Sequence, residues 1–197
     1  MSLPKNVETP RGRYLQNILD ATLESDWADW PMLNEKDYVL IGGLIVIYSY
    51  MDMNLRRIAE VTDNAGIMAV PWKDKTAGLN ITDIEKAVLS LPDWSENNIY
   101  ALTGIAQLRG MRNLAAHFAI RRFPNEDAFL FITKSAKDYK REFGRDPEPG
   151  MLFTGVVDCE QFKGAFKHAE GLQLWLAKVT SEIERKFVNA SKPDVRK

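Results

Sequence analysis

The chain has 197 residues, 45% hydrophobic and 27% charged, with a formal net charge of −1. This length and balance fit a single globular domain, 1–197, and exclude a polycation that coats nucleic acid, while leaving room for a local basic site. The one cysteine, Cys159, excludes an intrachain disulfide framework and fits a reducing cytoplasm.

Residues 1–13 hold no apolar core of a signal peptide. Tyr14, Leu15, Ile18, Leu19 and Leu23 recur at helical spacing and predict a first helix over 11–25, ended by Trp27, Trp30 and Pro31. Asn34 is placed to cap a long second helix from 35 to about 64. Its apolar run, 38–51, is too short to span a bilayer, so no membrane partner is expected. Gly42 and Gly43 lower helix propensity there, and close approach of another helix is the expected reason. Residues 65–79 read as loop, and Thr82 with Glu85 forms a capping-box pattern before a short helix ended by Pro92.

Ser95 or Asp93 caps the next helix, which runs to about Arg121, where Pro124 and Asn125 break it. Residues 128–133 and 151–157 are rich in β-branched and aromatic side chains and predict a hairpin. The charged excursion 134–150 separates its strands, the whole insertion covering about 127–158. A last helix, from Asp158 to about Asn189, carries Phe162, Phe166, Ala169, Leu172, Leu176, Val179 and Ile183 at helical period. The tail 191–197 is polar and expected to fray. The expected fold is mainly α: a helical bundle with a small β-hairpin inserted before the last helix.

The helix over 96–121 carries the run Arg112-Asn113-Leu114-Ala115-Ala116-His117, with one of only two histidines in the chain. On a helical wheel, Leu108, Met111, Leu114, Ala115 and Phe118 share one side, and Arg109, Arg112, Asn113, Ala116 and His117 the other. Arginine offers phosphate a planar fork of donors, and histidine moves protons near neutrality. Asn113 and His117 are four apart, so the amide can orient the imidazole. Arg112 and His117 lie roughly 140° apart around the helix. They converge on one phosphate if the arginine reaches across, or if two copies of the helix meet about a two-fold axis. Between Asn97 and Pro124 there is no acid, while Arg109, Arg112, Arg121 and Arg122 are present. These arginines are candidate RNA-binding residues.

These residues resemble the HEPN superfamily: all-α bundles with an arginine, a polar residue and a histidine on one helix. The likeness covers about 103–120, with Arg112, Asn113, four residues between Arg112 and His117, and the apolar Phe118. It implies a homodimer with facing motifs and a metal-independent endoribonuclease of toxin or phage-defence type. Such an enzyme cuts RNA to 2′,3′-cyclic phosphate and 5′-hydroxyl ends. The implied catalytic residues are Arg112, Asn113 and His117, with Asp52 or Asn54 supporting them from a neighbouring helix. A nucleotidyltransferase-type antitoxin is a further implied partner. However, Ala119 stands where some members carry the tyrosine that such a partner modifies. Related proteins of mannitol-repressor type act as regulators or interaction modules without catalysis.

Other features carry less. Asp52 and Arg56 are four apart and suit a solvated ion pair. His168 reads as a surface histidine. Two histidines and one cysteine show no metal-ligand spacing, and no phosphate loop or Gly-x-Ser-x-Gly elbow appears, so neither metal nor cofactor is expected. Cys159 falls at a helix start, where a thiol pKa can drop. Trp27, Trp30, Trp72 and Trp94 fall in connections, as plugs of the bundle or as exposed stacking surfaces.

Overall fold

The computed structural model describes residues 9–68, 84, 96–137, 140, 146–150 and 152–190. In chain order these form α1 (Pro10–Asp20), a short 3-10 helix (Glu24–Asp29), α2 (Glu35–Asn64), α3 (Glu96–His117), β1 (Ala119–Arg122), β2 (Ala128–Thr133), β3 (Phe153–Asp158) and α4 (Cys159–Ala190). The fold is mainly helical, with one antiparallel sheet in the order β1-β2-β3. It divides into two compact units, one from Met1–Ile45 and Gln107–His168, the other from Val46–Ala106 and Ala169–Lys197.

The first unit is built on the sheet. Thr9 Oγ1 accepts from the Gly12 amide at 2.9 Å and Pro10 opens α1, which satisfies one of the orphan donors of a helix start. Leu15 and Leu19 of α1 pack with Trp27, Trp30, Phe123, Ala128, Leu130 and Val156, and the Trp30 and Phe123 rings stand 4.6 Å apart. Both tryptophans therefore plug the core rather than present a stacking surface. Side chains alternate along a strand, so Phe129 and Phe131 point to the opposite face. There they meet Phe162 of α4 at ring separations of 5.6 and 6.4 Å. Covering on both faces explains why Ala128, Phe129, Leu130 and Phe131 are buried in succession and why β2 lacks polar alternation.

The β1–β2 connection follows from two residues. Pro124 suits the second position of a turn and Asn125 adopts φ 60°, while the Glu126 amide donates to the Phe123 carbonyl. This is the chemistry of a type II turn. The outer edge of β1 is covered where the Arg122 amide donates to the Pro31 carbonyl at 2.9 Å, which blunts an open sheet edge. Asn34 and Asp37 cap α2 reciprocally, each side chain accepting from the other's amide at 3.1 and 2.8 Å. Gly43 makes the close approach expected of it: a Cβ there would stand 2.7 Å from Phe166 Cε2. Gly42 does not, since nothing lies within 4 Å of its would-be Cβ.

The second unit is helical in its described residues. Leu55, Ile58 and Ala59 of α2, Leu102 and Ile105 of α3, and Leu176, Val179 and Ile183 of α4 are buried. Arg57 grips Glu184 through two parallel bonds, Nε at 2.8 Å and Nη2 at 2.5 Å, the fork geometry that makes arginine pairs strong. Gly66, at φ 72°, closes α2. The Gly66 amide donates to Asp63 and the Ile67 amide to Thr62, a Schellman stop. Val46, Tyr50 and Met53 leave an exposed apolar stripe on α2. By length and composition alone α2 is apolar enough to cross a bilayer.

Two expectations are corrected. The motif helix ends at His117 rather than near Arg121, and 119–122 form a strand. The inserted β element is consequently a three-stranded sheet, not a two-stranded hairpin. Pairing of Ile120 with Phe131 and Arg121 with Leu130 overrides the helix propensity of that segment. The expected short helix after Thr82 lies outside the described residues except for Ile84, which is helical and buried. Trp72, Trp94 and the tail 191–197 also lie outside them. In the excursion, Lys140 pairs with Asp146 at 3.1 Å, both largely exposed.

Candidate functional site

The motif occupies the last turns of α3, within the first unit. Leu108, Leu114 and Ala115 are buried, anchoring the helix by the face that the wheel assigns to the core. Arg109, Arg112 and Asn113 are half-buried, while Ala116 and His117 are exposed. His117 is the final helical residue, and the chain turns at Phe118 into β1. The polar side is thus graded, with arginines and amide set into the surface and imidazole outside it. Gly110 and Ala115 are buried, so Ala116 is the one exposed small residue of the three beside the motif.

Arg112 Nη1 donates to Asn113 Oδ1 at 2.8 Å, and Arg112 Nε is buried. Asn113 was expected to orient His117; its oxygen instead accepts from Arg112. A charged guanidinium is a stronger donor to an amide oxygen than a neutral imidazole. The structure thus couples Arg112 to Asn113 and presents His117 separately, at the end of the same helix.

The other candidates fall in different surroundings. Arg121 reaches the sulfur of Met32. Arg122 donates to Asp37 at 2.7 Å and to Asp127, and its guanidinium lies over the Phe129 ring. The acid-free stretch in sequence is therefore not acid-free in space: Asp37 arrives from α2 and Asp127 from the turn before β2. Arg122 holds strands to helix and its charge is already matched. In the second unit, Asp52 pairs with Arg56 at 2.9 Å, both partly solvated. Asn54 donates to the Tyr50 carbonyl at 3.0 Å and accepts from Arg57.

Two clusters were not visible in the sequence. In one, Arg11 donates to Glu126 at 2.7 Å and Asp158 at 2.9 Å, and Tyr14 donates to Glu126 at 2.7 Å. The hydrogen bond from Tyr14, then that from Arg11, holds the Glu126 carboxyl below the usual carboxylate range. In the other, Asn34, Asp37, Arg122, Asp127, Cys159 and Lys163 line a pocket of about 130 Å³. Burial, then the hydrogen bond to Asp127, pushes the Cys159 thiol up to about 12, the reverse of the drop that a helix start suggests. Burial also opposes the charge of Asp127, but Cys159, Lys163 and Arg122 outweigh it and keep that carboxyl low. Among the described residues, no three His, Cys, Asp or Glu side chains gather closely enough to hold a metal ion.

No protein-family model, curated protein or solved structure matches the chain.

Proposed function

We propose that this protein is an endoribonuclease of HEPN type, with Arg112 and His117 as its catalytic pair. The observation that supports this reading most is the exposed imidazole of His117 at the end of α3, beyond a half-buried Arg112 already held by Asn113. A fixed cation and an accessible proton carrier are the two components that RNA transesterification needs without a metal. Arg112 binds the scissile phosphate and stabilises charge that grows on its oxygens. The 2′-oxygen attacks phosphorus as its proton leaves, and the bond to the 5′-oxygen breaks as that oxygen gains a proton. His117 carries one of these protons, and His117 of a second copy carries the other. The products are a 2′,3′-cyclic phosphate and a 5′-hydroxyl.

This reading makes the active form a cytoplasmic homodimer in a toxin or defence setting, with Arg109 and Arg121 adding affinity for RNA. Exposed Ala116, beside His117, is small enough for a second copy of α3 to approach. Arg122 is left out of the RNA-binding set because two carboxylates already match its charge. A second reading, a non-catalytic regulator or interaction module, draws on the same Arg112–Asn113 bond, which engages the cation within the chain.

The test is cleavage of a labelled mixed-sequence RNA in EDTA by wild type and His117→Ala. Wild type is expected to cut and leave cyclic-phosphate ends. The variant is expected to lose about 10²- to 10⁴-fold in rate, the range for removing a general acid or base. Equal cutting by both proteins would reject the assignment. No cutting by a folded wild-type dimer would favour the regulator.

A further inference from the structure

We infer that Asn113 is the positioning residue of Arg112: it sets the plane of the guanidinium that meets the phosphodiester, and it does not steer His117. This rests on the ribonuclease reading above. The 2.8 Å bond runs from Arg112 Nη1 to Asn113 Oδ1. A guanidinium has only donors, so the amide must turn its oxygen toward Arg112 and its Nδ2 away. The polarity of the Asn113 side chain therefore follows from chemistry.

Successive residues on a helix point roughly 100° apart and do not face each other. A bond between Arg112 and Asn113 therefore needs the arginine to fold sideways across the helix surface. Its stem is set into that surface, with Nε buried. Fixing Nη1 as well leaves the planar group little freedom to rotate. A two-pronged grip on phosphate uses N–H bonds that lie in one plane, so anchoring one edge of the guanidinium orients the fork as a whole. His117 is exposed four residues beyond Asn113, and the oxygen that would have oriented it serves Arg112 instead.

Two variants separate this role from the alternatives. Asn113→Ala removes the acceptor. Asn113→Asp keeps an acceptor of the same shape and adds a charge. With the full chain and labelled RNA, Asn113→Ala is expected to lower kcat about tenfold to a hundredfold, as loss of orientation does. The pH at which the rate inflects should stay where wild type has it. Asn113→Asp is expected to recover most of kcat while raising KM, because its carboxylate repels the RNA backbone. Failure of Asn113→Asp to outperform Asn113→Ala would overturn the inference, as would a shifted inflection in Asn113→Ala.

A second readout does not depend on turnover. In ¹⁵N-arginine spectra, the Arg112 Nη protons should be protected in wild type and in Asn113→Asp, and lose protection in Asn113→Ala. Equal protection in all three would overturn the positioning role. Protection that follows this order in a wild type that cuts no RNA would leave the geometry standing and reject its role toward a phosphodiester.

Discussion

Arg112 and Arg122 have the same chemistry in different surroundings, and surroundings decide what each does. Arg122 faces two carboxylates, so an incoming phosphate would have to displace an acid. Arg112 is bonded to a neutral amide, which orients the guanidinium without itself adding an opposing charge. Cys159 makes the same point for a thiol. It opens α4, where the helix terminus favours a thiolate, yet burial pushes it up to about 12 from an ordinary 9.0. The sign of the consequence is fixed. Above pH 9 the unfolded chain releases a proton that the native chain keeps until about pH 12, so stability declines across that window. Below it the contribution is full and flat. The decline from this one group is at most about 1.4 kcal/mol per pH unit. Urea midpoints measured between about pH 8 and pH 11 should fall less steeply in Cys159→Ala than in wild type. Parallel curves would show that the native thiol titrates normally.

At the scale of elements, turns and caps were the most legible features, because their signals are local. Asn34 marks the start of α2, and Pro124 with Asn125 marks a break. What followed the break was legible and what preceded it was not. Residues 119–122 continue an acceptable helical pattern, and only pairing with β2, adjacent in space but about ten residues later in the chain, makes them a strand. Likewise, nothing near Arg11 announces Asp158, 147 positions later. The motif residues themselves were legible as a polar helix face. Their internal bonding was not, since a wheel shows direction and not which donor an amide prefers. The turn offers a direct check. Asn125 sits at φ 60°, where a β-branched side chain is strained and glycine is at ease. Asn125→Val should cost about 1–2 kcal/mol, and Asn125→Gly should stay within about 0.5 kcal/mol of wild type. Thermal unfolding of both variants measures this. An unaffected Asn125→Val would mean that the β1–β2 turn relaxes to another form.

At the scale of the whole molecule, a net charge of −1 gives no long-range attraction for RNA, so any affinity must come from a few local cations. Arg122 is set apart by its two carboxylates. Arg109, Arg112 and Arg121 belong to the proposed RNA surface, and Arg122 does not. Each phosphate neutralised on a single strand contributes about −0.7 to the slope of log K against log salt. Three cations therefore give a shallow slope, about −2, far from that of a protein coated in lysine. Replacing Arg109 by alanine should reduce the slope by about 0.7. Replacing Arg122 by glutamine should leave the slope unchanged and cost about 2 kcal/mol in stability, because Asp37 is buried and loses its partner. Fluorescence titrations of labelled RNA across salt, paired with urea unfolding, separate the two effects. The opposite pattern, a slope that depends on Arg122 and ignores Arg109, would put RNA at the Asp37–Asp127 pocket and reject the surface on α3.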